Sequence, residues 1–568
     1  MTNSKILLID DDLLVSKTLR LLFQKKAYSV DCAANAIEAL TLAAVNEYDI
    51  VISDIRMPGE NGVIAVEKIK KIYQDKHIYC GFIFISGYAE EDTPAHAVRL
   101  GVTRFLFKPF SNDAILKSIE QELELVRQER LLKNPSHLQK VGSVRTVKPR
   151  FNDLGVKRVV VTGVGVISPS GIGKDEYWTG LAEGKNCVGA ISYFDSTPFP
   201  SKASAEARSF RPEEFIEDKG EIRRMGRTAQ FGVAAANLAV KDAFQNRADK
   251  LPTDAGVILG SAIAGLEYVE TDFRALERGG VRKVRPYLGI AGFAGGASSE
   301  ISRSLSIKGA SITISTGCTS ATDAMGYAFN QIRFGKATTL ITGGADASVT
   351  SGILAAFCQM GAVSMWQNDL HRASRPFNKD RGGFVLGEGS WVFVFEEYSE
   401  ALKRGAKIYC EIIGYGATCD AWHMAKPHPS GDFTAQAIQL SIDDAGIPAN
   451  SVDLFEAYGN GTPLNDSYET GVIKKVFGEH AYKLMVPSIK SMLGHPLGAS
   501  GGQQLAAAIM AFQEGIVHPT INYEVPDPEC DLDYVSNSSR SCKVDIALCS
   551  SIAFGAKNSA LIARSIKK

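Results

Sequence analysis

Cys318 stands where a cysteine can act as a nucleophile. In the stretch Ser311-Ile-Thr-Ile-Ser-Thr-Gly-Cys318-Thr-Ser-Ala, the β-branched Ile312 and Ile314 predict a buried strand. Thr316-Gly317 predict the bend after it, because glycine takes backbone geometries other residues resist. Ala321, Ala324, Met325, Ala328 and Phe329 then recur at helical spacing. Cys318 is thereby expected at a helix N-terminus, where free N–H groups and the macrodipole favour an anion and lower a thiol pKa. Downstream, Lys490 and His495 lie in Lys490-Ser-Met-Leu-Gly-His495-Pro-Leu-Gly-Ala-Ser-Gly-Gly502, a turn before a helix of small residues. A lone histidine is commonly structural. Beside a cysteine and a lysine it fits acyl transfer, which wants a thiolate, a donor and an oxyanion site.

A second group of reactive types falls at strand ends near the N-terminus. Lys5 to Asp10 is an apolar run ending in Asp10-Asp11-Asp12, and Tyr48 to Asp54 also ends in an acid. Gly81 to Ser86 ends in a hydroxyl, and Arg104 to Lys108 ends in a lysine. Strands alternating with helical segments imply a parallel, doubly wound sheet, whose strand C-termini meet at one edge. Two acids and a third carboxylate there could hold a hard cation such as Mg²⁺. A carboxylate can attack phosphorus once the phosphoryl charge is neutralised, which the metal and Lys108 could do, with Ser86 hydrogen-bonding the same oxygens.

These two sites need separate scaffolds, and 568 residues allow them. The 62 basic and 63 acidic residues nearly cancel, which gives no global argument for nucleic-acid binding. No apolar run reaches membrane-spanning length, and the N-terminus shows no signal-peptide pattern, so a cytoplasmic protein without membrane insertion is expected. The ten cysteines form no Cys-x-x-Cys pair, which argues against structural zinc and suits a reducing compartment. Residues 126–156 lose periodicity; Val126 to Leu132 could extend the preceding helix, and the breakers and basic residues beyond have the composition of a solvated tether. Gly163-x-Gly165 after a strand lacks the third glycine of a dinucleotide fingerprint, since Ser168 stands there.

The motifs IDDD, SDIRMPGENG, FISGYAE and FLFKPF resemble a response-regulator receiver domain over residues 1–125. The resemblance implies a flavodoxin-like fold, Asp54 as phosphoacceptor, Asp10, Asp11 and Asp54 as the Mg²⁺ site, and Ser86, Lys108 and Phe105 as switch residues. No kinase motif occurs in the chain, so a separate histidine kinase or other phosphoryl donor is implied. Residues 157–568 resemble the elongating β-ketoacyl-ACP synthases. The motifs are VVVTGVGVISPSG, TGCTSA, GGADA, SRPFNKDRGGFVLGEG, DAWHM, GTPLND, KSMLGHPLGASGG, CDLDYV and FGAKN. This implies a duplicated thiolase-type α/β fold, with halves at about 157–405 and 406–568, and a homodimer. It also implies Cys318 as acyl acceptor from an acyl-carrier protein, and His495 and Lys490 as catalytic residues. Asp466 and Glu469 would be structural neighbours of Lys490. Phe554 would gate the pocket, Thr462 would contact pantetheine, and Arg223 and Arg224 would dock the carrier protein.

One departure touches the chemistry. The family places a catalytic histidine in His-Gly-Thr-x-Thr-Pro, and this chain has Tyr458-Gly-Asn460-Gly-Thr462-Pro. A lost oxyanion donor costs about 10²–10³ in rate, and tyrosine can donate one hydrogen bond. Gly317, where alanine is frequent, and Ala425, where a hydroxyl is common, are minor differences. Three readings follow: a decarboxylative condensing enzyme with Tyr458 substituting for histidine, a non-elongating acyltransferase, or a pseudo-enzyme that binds acyl carrier. The first is adopted for activity class, with Asp54 phosphorylation expected to regulate it.

Overall fold

A computed structural model describes residues 4–566, apart from 56, 58–60, 77, 87–103, 109, 133–155 and 246–250. Two compact units divide the chain near residue 147.

The first unit places strands β1 (Lys5–Ile9), β2 (Ser29–Ala33), β3 (Ile50–Asp54), β4 (Gly81–Ser86) and β5 (Arg104–Phe107) in one sheet. Their order is β2-β1-β3-β4-β5, with all described pairs parallel. This is the flavodoxin-like order expected for the domain. Leu7, Ile9 and Val51 pack to one face of the sheet, and Ile6, Leu8, Ile50 and Ile52 to the other. Apolar residues on both faces give the continuous apolar runs seen in sequence. Helices α1 (Leu13–Lys25), α2 (Ala36–Val45), α3 (Gly62–Asp75) and α4 (Asn112–Leu132) accompany the sheet. Asp12 caps α1, its carboxylate accepting from the N–H groups of Leu14 at 2.8 Å and Val15 at 3.2 Å.

The second unit is a mixed sheet with an internal duplication. Its first half holds β6 (Val159–Ser168), β7 (Gly256–Gly260), β8 (Ser311–Ile314), β9 (Thr339–Asp346) and β10 (Gly389–Glu397). Its second half holds β11 (Cys410–Cys419), β12 (Leu454–Glu456), β13 (Ile546–Ala553) and β14 (Lys557–Arg564). The order is β8-β7-β9-β10-β6-β11-β14-β13-β12. Moving outward from β6, the pairings run antiparallel, antiparallel, parallel, parallel. Moving outward from β11 they run antiparallel, antiparallel, parallel, and then a parallel bridge from Leu454 to Met485. The two halves therefore repeat one topology, and β6 meets β11 over a short antiparallel stretch.

The duplication positions the reactive residues. Cys318 follows the outermost strand of one half and starts a helix, α5 (Ser320–Arg333). Lys490 and His495 follow the Met485 bridge of the other half and precede α6 (Ser500–Glu514). The two helices pack together, and Ala324, Ala328, Leu505 and Ile509 belong to one buried core. Small residues let helix backbones approach closely, which accounts for the small-residue pattern of both sequences.

Two local readings are sharpened. Gly163 and Gly165 serve packing: a Cβ on either would lie 2.2 Å from the Ala239 carbonyl oxygen or 1.9 Å from that of Ala235. Both carbonyls belong to the helix Arg227–Ala243. The expectation that β8 is buried is corrected. It is the sheet's edge strand, and Ile312 is 44% exposed. β-branching favours an edge strand as much as a central one, so residue type alone did not separate them.

Candidate functional site

In the first unit, the end of β3 and the segments following β1 and β5 meet at one edge. Asp10, Asp11 and Asp54 have carboxylate oxygens within 4.8 Å of one another. Asp10 and Asp54 are buried and Asp11 is exposed. Lys108 Nζ lies 2.6 Å from Asp54 Oδ2 and 3.2 Å from Asp10 Oδ2. Burial raises the Asp10 pKa, against the Asp12 N–H and Lys108 that lower it. Burial opposes charge on Lys108, yet the hydrogen bond to Asp54 and the charges of Asp10 and Asp54 prevail and raise its pKa. Three convergent oxygen donors with a solvent-facing member fit a hard cation that keeps water ligands. Ser86 ends β4 and Phe105 lies within β5; their side chains lie outside the described residues.

In the second unit, the sequence candidates converge around Cys318. Gly317 takes φ +75°, which turns the chain from β8 into the short 3₁₀ turn Gly317–Thr319. Cys318 is buried in an apolar cluster with Ile191, Leu354, Phe384, Tyr458 and Leu497. Its thiol pKa is pushed up to about 11, not down as the helix start suggested. Burial is the dominant cause, and a hydrogen bond from Tyr458 and the charge of Lys490 draw the value back only in part.

Tyr458 lies beside His495 and in the same buried cluster as Cys318. Its hydroxyl is 3.2 Å from His495 Nε2, and the two rings stand edge to face with centroids 5.5 Å apart. Burial raises the phenol pKa well above 10, and Cys318 adds to the rise. Glu469 fixes the turn that carries this residue, its carboxylate accepting from the N–H groups of Tyr458 and Gly459 at 2.8 Å each. Asp466 does the same for Gly461 at 3.1 Å and for Phe377 at 2.7 Å. Thr462 is occupied in this turn: its hydroxyl donates to Asn460 Oδ1 at 2.8 Å and caps the helix Pro463–Phe477.

His495 is fully enclosed. Burial, then the Lys490 charge, pull its pKa well below 6.5, so the ring is neutral. Its Nδ1 lies 3.0 Å from the Ser500 hydroxyl, and Phe384 stands edge-on to the ring at 5.2 Å. Lys490 Nζ is buried, has no hydrogen-bond partner among the described residues and sits 4.8 Å above the Tyr458 ring. Burial lowers its pKa to about 8, although the charges of Glu469, Cys318 and Glu456 oppose the shift.

The remaining candidates are peripheral. Phe554 stacks on Phe357 at 6.1 Å, and Phe357 meets Phe384 edge to face at 5.2 Å. An aromatic file therefore runs from Phe554 to His495. Arg223 is exposed, whereas Arg224 is ion-paired with Glu221 at 3.3 Å and Glu300 at 3.4 Å.

Sequence reading missed Ser500, Phe384 and Asp346. Asp346 is buried and accepts from Gly498 N at 2.7 Å and Ala262 N at 2.9 Å, which pins the loop after His495. Its place in GGADA was a signal, but its partners are over 80 residues away in sequence. Ser500 is only five residues from His495, so closeness in sequence could have pointed to it. Among the described residues no helix is long and apolar enough to cross a membrane.

The chain matches the family models for the beta-ketoacyl synthase N-terminal domain over residues 156–401 and C-terminal domain over 409–524. It also matches the response regulator receiver domain over 6–120. It is 41% identical to a 3-oxoacyl-[acyl-carrier-protein] synthase 2 of Synechocystis sp. over 72% of this chain and 97% of that protein. It is 38% identical to a putative polyketide beta-ketoacyl synthase 1 of Streptomyces halstedii, over 72% and 97%. Among solved structures it superposes on the ishigamide ketosynthase/chain length factor with TM-score 0.68 and 35% identity, over 72% and 100% of the two chains. It also superposes, at TM-score 0.67 and 31% identity, on a chain of a type II PKS acyl-carrier protein in complex with its ketosynthase bound to the hexaketide, over 72% and 100%.

Proposed function

Because the chain belongs to the beta-ketoacyl synthase family and carries a response regulator receiver domain ahead of it, we propose that it is a phosphorylation-regulated condensing enzyme. Cys318 Sγ attacks the thioester carbonyl of a carrier-bound acyl chain, and the carrier thiol leaves with a proton. The bound acyl thioester then meets the enolate released when a malonyl carrier loses CO₂. A new carbon–carbon bond forms, and the Cys318 thiolate leaves.

The observation that carries this reading is the place of Tyr458. Its hydroxyl contacts His495 Nε2 at 3.2 Å and interacts with the Cys318 thiol. A phenol O–H there can donate to the oxygen that gains charge as the thioester carbonyl is attacked. The neutral imidazole of His495 shares its Nε2 contact with that hydroxyl, so the pair presents one free donor at a time. The buried lysine at 490 adds positive potential in a medium of low polarity. Arg223 is the exposed member of the basic pair and the one we assign to carrier docking. A homodimer is the expected assembly.

A second reading, acyl transfer without elongation, is favoured by the same 3.2 Å contact, because Tyr458 engages the imidazole nitrogen that an enolate would need. Acyl-carrier and malonyl-carrier substrates followed by intact-mass detection separate the two. A chain two carbons longer supports condensation. An acyl adduct on Cys318 with no longer product supports transfer alone.

For the receiver, we assign Asp54 as the acceptor of a phosphoryl group from a separate donor, such as a histidine kinase. Asp10, Asp11 and Asp54 would hold Mg²⁺, which supplies neutralisation of the phosphoryl oxygens. Lys108 contributes a second positive charge to the same oxygens. Modification of Asp54 then alters the synthase output. Comparing condensation rates with and without beryllofluoride and Mg²⁺ tests this, and identical rates would remove it.

A further inference from the structure

We propose that Gln504 is a positioning residue: its amide clamps the peptide unit in front of Tyr458 and so holds the phenol hydroxyl against His495. This rests on the reading of Tyr458 as a donor for condensation.

Gln504 is fully buried in helix α6, one turn beyond Ser500. Its Nε2 lies 2.9 Å from the Glu456 carbonyl oxygen, 2.9 Å from that of Ala457 and 2.7 Å from that of Ser550. Its Oε1 lies 3.3 Å from the Ser551 hydroxyl. The partners fix which way the amide faces. Carbonyl oxygens only accept, so the nitrogen is turned to the three of them and the oxygen to the hydroxyl that can donate. Two N–H groups serve three carbonyls, so one hydrogen is shared.

Each partner belongs to a segment that carries a site residue. Strand β12 ends at Glu456, and Ala457 leads into the turn with Tyr458. The Ala457 C=O and the Tyr458 N–H are the two polar ends of one planar peptide unit. Gln504 holds the first at 2.9 Å, and Glu469 holds the second at 2.8 Å. A planar unit gripped at both ends does not turn about its axis, and the Tyr458 Cα is fixed with it. The helix that supplies the first grip begins at Ser500, which lies 3.0 Å from His495 Nδ1. Gln504 therefore ties the Tyr458 turn to the element that steadies the imidazole. Ser550 and Ser551 lie on β13 just ahead of Phe554. Ser551 Oγ also lies 2.8 Å from the hydroxyl of Thr322, in the first turn of α5 beyond Cys318. An apolar side chain of the same volume would fill this space but would release the turn.

The test uses the full-length protein labelled with [¹⁵N]histidine, with His495 assigned by its loss in His495→Gln. Tyr458→Phe removes the hydroxyl beside Nε2 and is expected to shift the Nε2 resonance. Gln504→Met, which keeps the volume without the amide, is expected to shift it in the same direction. Gln504→Glu, which keeps the shape and replaces the donor nitrogen by an oxygen, is expected to do the same. Ser551→Ala leaves the three carbonyl contacts in place and is expected to retain the wild-type resonance. Condensation gives a second readout. Gln504→Met is expected to lower kcat about 10²-fold in the wild-type background, the cost of a small misplacement. In the Tyr458→Phe background the loss is expected to be less than about threefold, because the donor it places is already gone. Equal losses in the two backgrounds would overturn the proposal. So would an Nε2 resonance unmoved by Gln504→Met or by Tyr458→Phe, or one moved equally by Ser551→Ala. The spectra require no substrate, so a wild type that loads Cys318 without elongating removes the reading of Tyr458 and leaves the clamp to be decided by the spectra.

Discussion

The Tyr458 hydroxyl lies 3.2 Å from Nε2 of His495, and the two residues come from turns 37 positions apart in sequence. That contact places a phenol in the buried apolar cluster that holds Cys318. A phenol differs from an imidazole in having one rotatable hydrogen and in being both donor and acceptor. It can therefore take a proton-side contact from His495 and pass a donor onward.

Tyr458→Phe keeps the ring and its packing on His495 but removes the hydroxyl. Condensation is expected to fall about 10²–10³-fold, the range for loss of one oxyanion donor. Transfer of the acyl group to Cys318 is expected to fall far less. Single-turnover measurement of each step checks this, and equal losses in both would place the hydroxyl in loading instead.

The buried thiol titrates near pH 11. Below that value each pH unit raises the thiolate fraction about tenfold, and the thiolate is the reactive form. Alkylation of Cys318 by iodoacetamide is accordingly expected to accelerate steadily from pH 7 to 10 without levelling. Because the Tyr458 hydrogen bond lowers the thiol pKa, Tyr458→Phe is expected to alkylate more slowly at pH 8. Faster alkylation in the variant would contradict this.

Lys490 offers a separate pH signature. Burial holds its folded pKa at about 8, below the 10.5 of an exposed lysine. Between those two values the unfolded chain binds more protons at this site, so this group's contribution to stability rises with pH from about 8 to 10.5. Denaturant unfolding of the wild type and Lys490→Met across that range isolates it. The stability difference, variant minus wild type, is expected to shrink steadily toward pH 10.5. A difference independent of pH would show that the lysine is not depressed.

In the receiver, Asp54→Asn removes the carboxylate assigned to accept the phosphoryl group. Incorporation from acetyl phosphate, seen as a mass gain in the presence of Mg²⁺, is expected to disappear. Asp11→Ala is expected to retain Asp54 but to require much more Mg²⁺ for the same incorporation. Full incorporation in Asp54→Asn would move the acceptor elsewhere.

Much of this was legible in the residues. Strands alternating with helical segments signalled the parallel sheet, and with it the meeting of the strand-end acids and lysine at one edge. Cys318, His495 and Lys490 were visible from their turns and flanking small residues. Three things were not. The rise in thiol pKa depends on how completely tertiary packing closes over Cys318, and burial outweighed the helix-start effect. The exposure of Ile312 depends on β8 falling at the sheet edge, which strand composition does not reveal. The contact between Tyr458 and His495 depends on bringing two distant turns together, so sequence showed a missing histidine but not what its replacement touches.

The most direct measurement is intact-mass detection on wild type and Tyr458→Phe after incubation with acyl-carrier and malonyl-carrier substrates. In the wild type, a carrier-bound β-ketoacyl product two carbons longer is expected, with the Cys318 adduct as its precursor. In Tyr458→Phe the adduct is expected to accumulate with little product. Wild-type protein that loads Cys318 and yields no longer chain would contradict the assignment of Tyr458 as a donor for condensation.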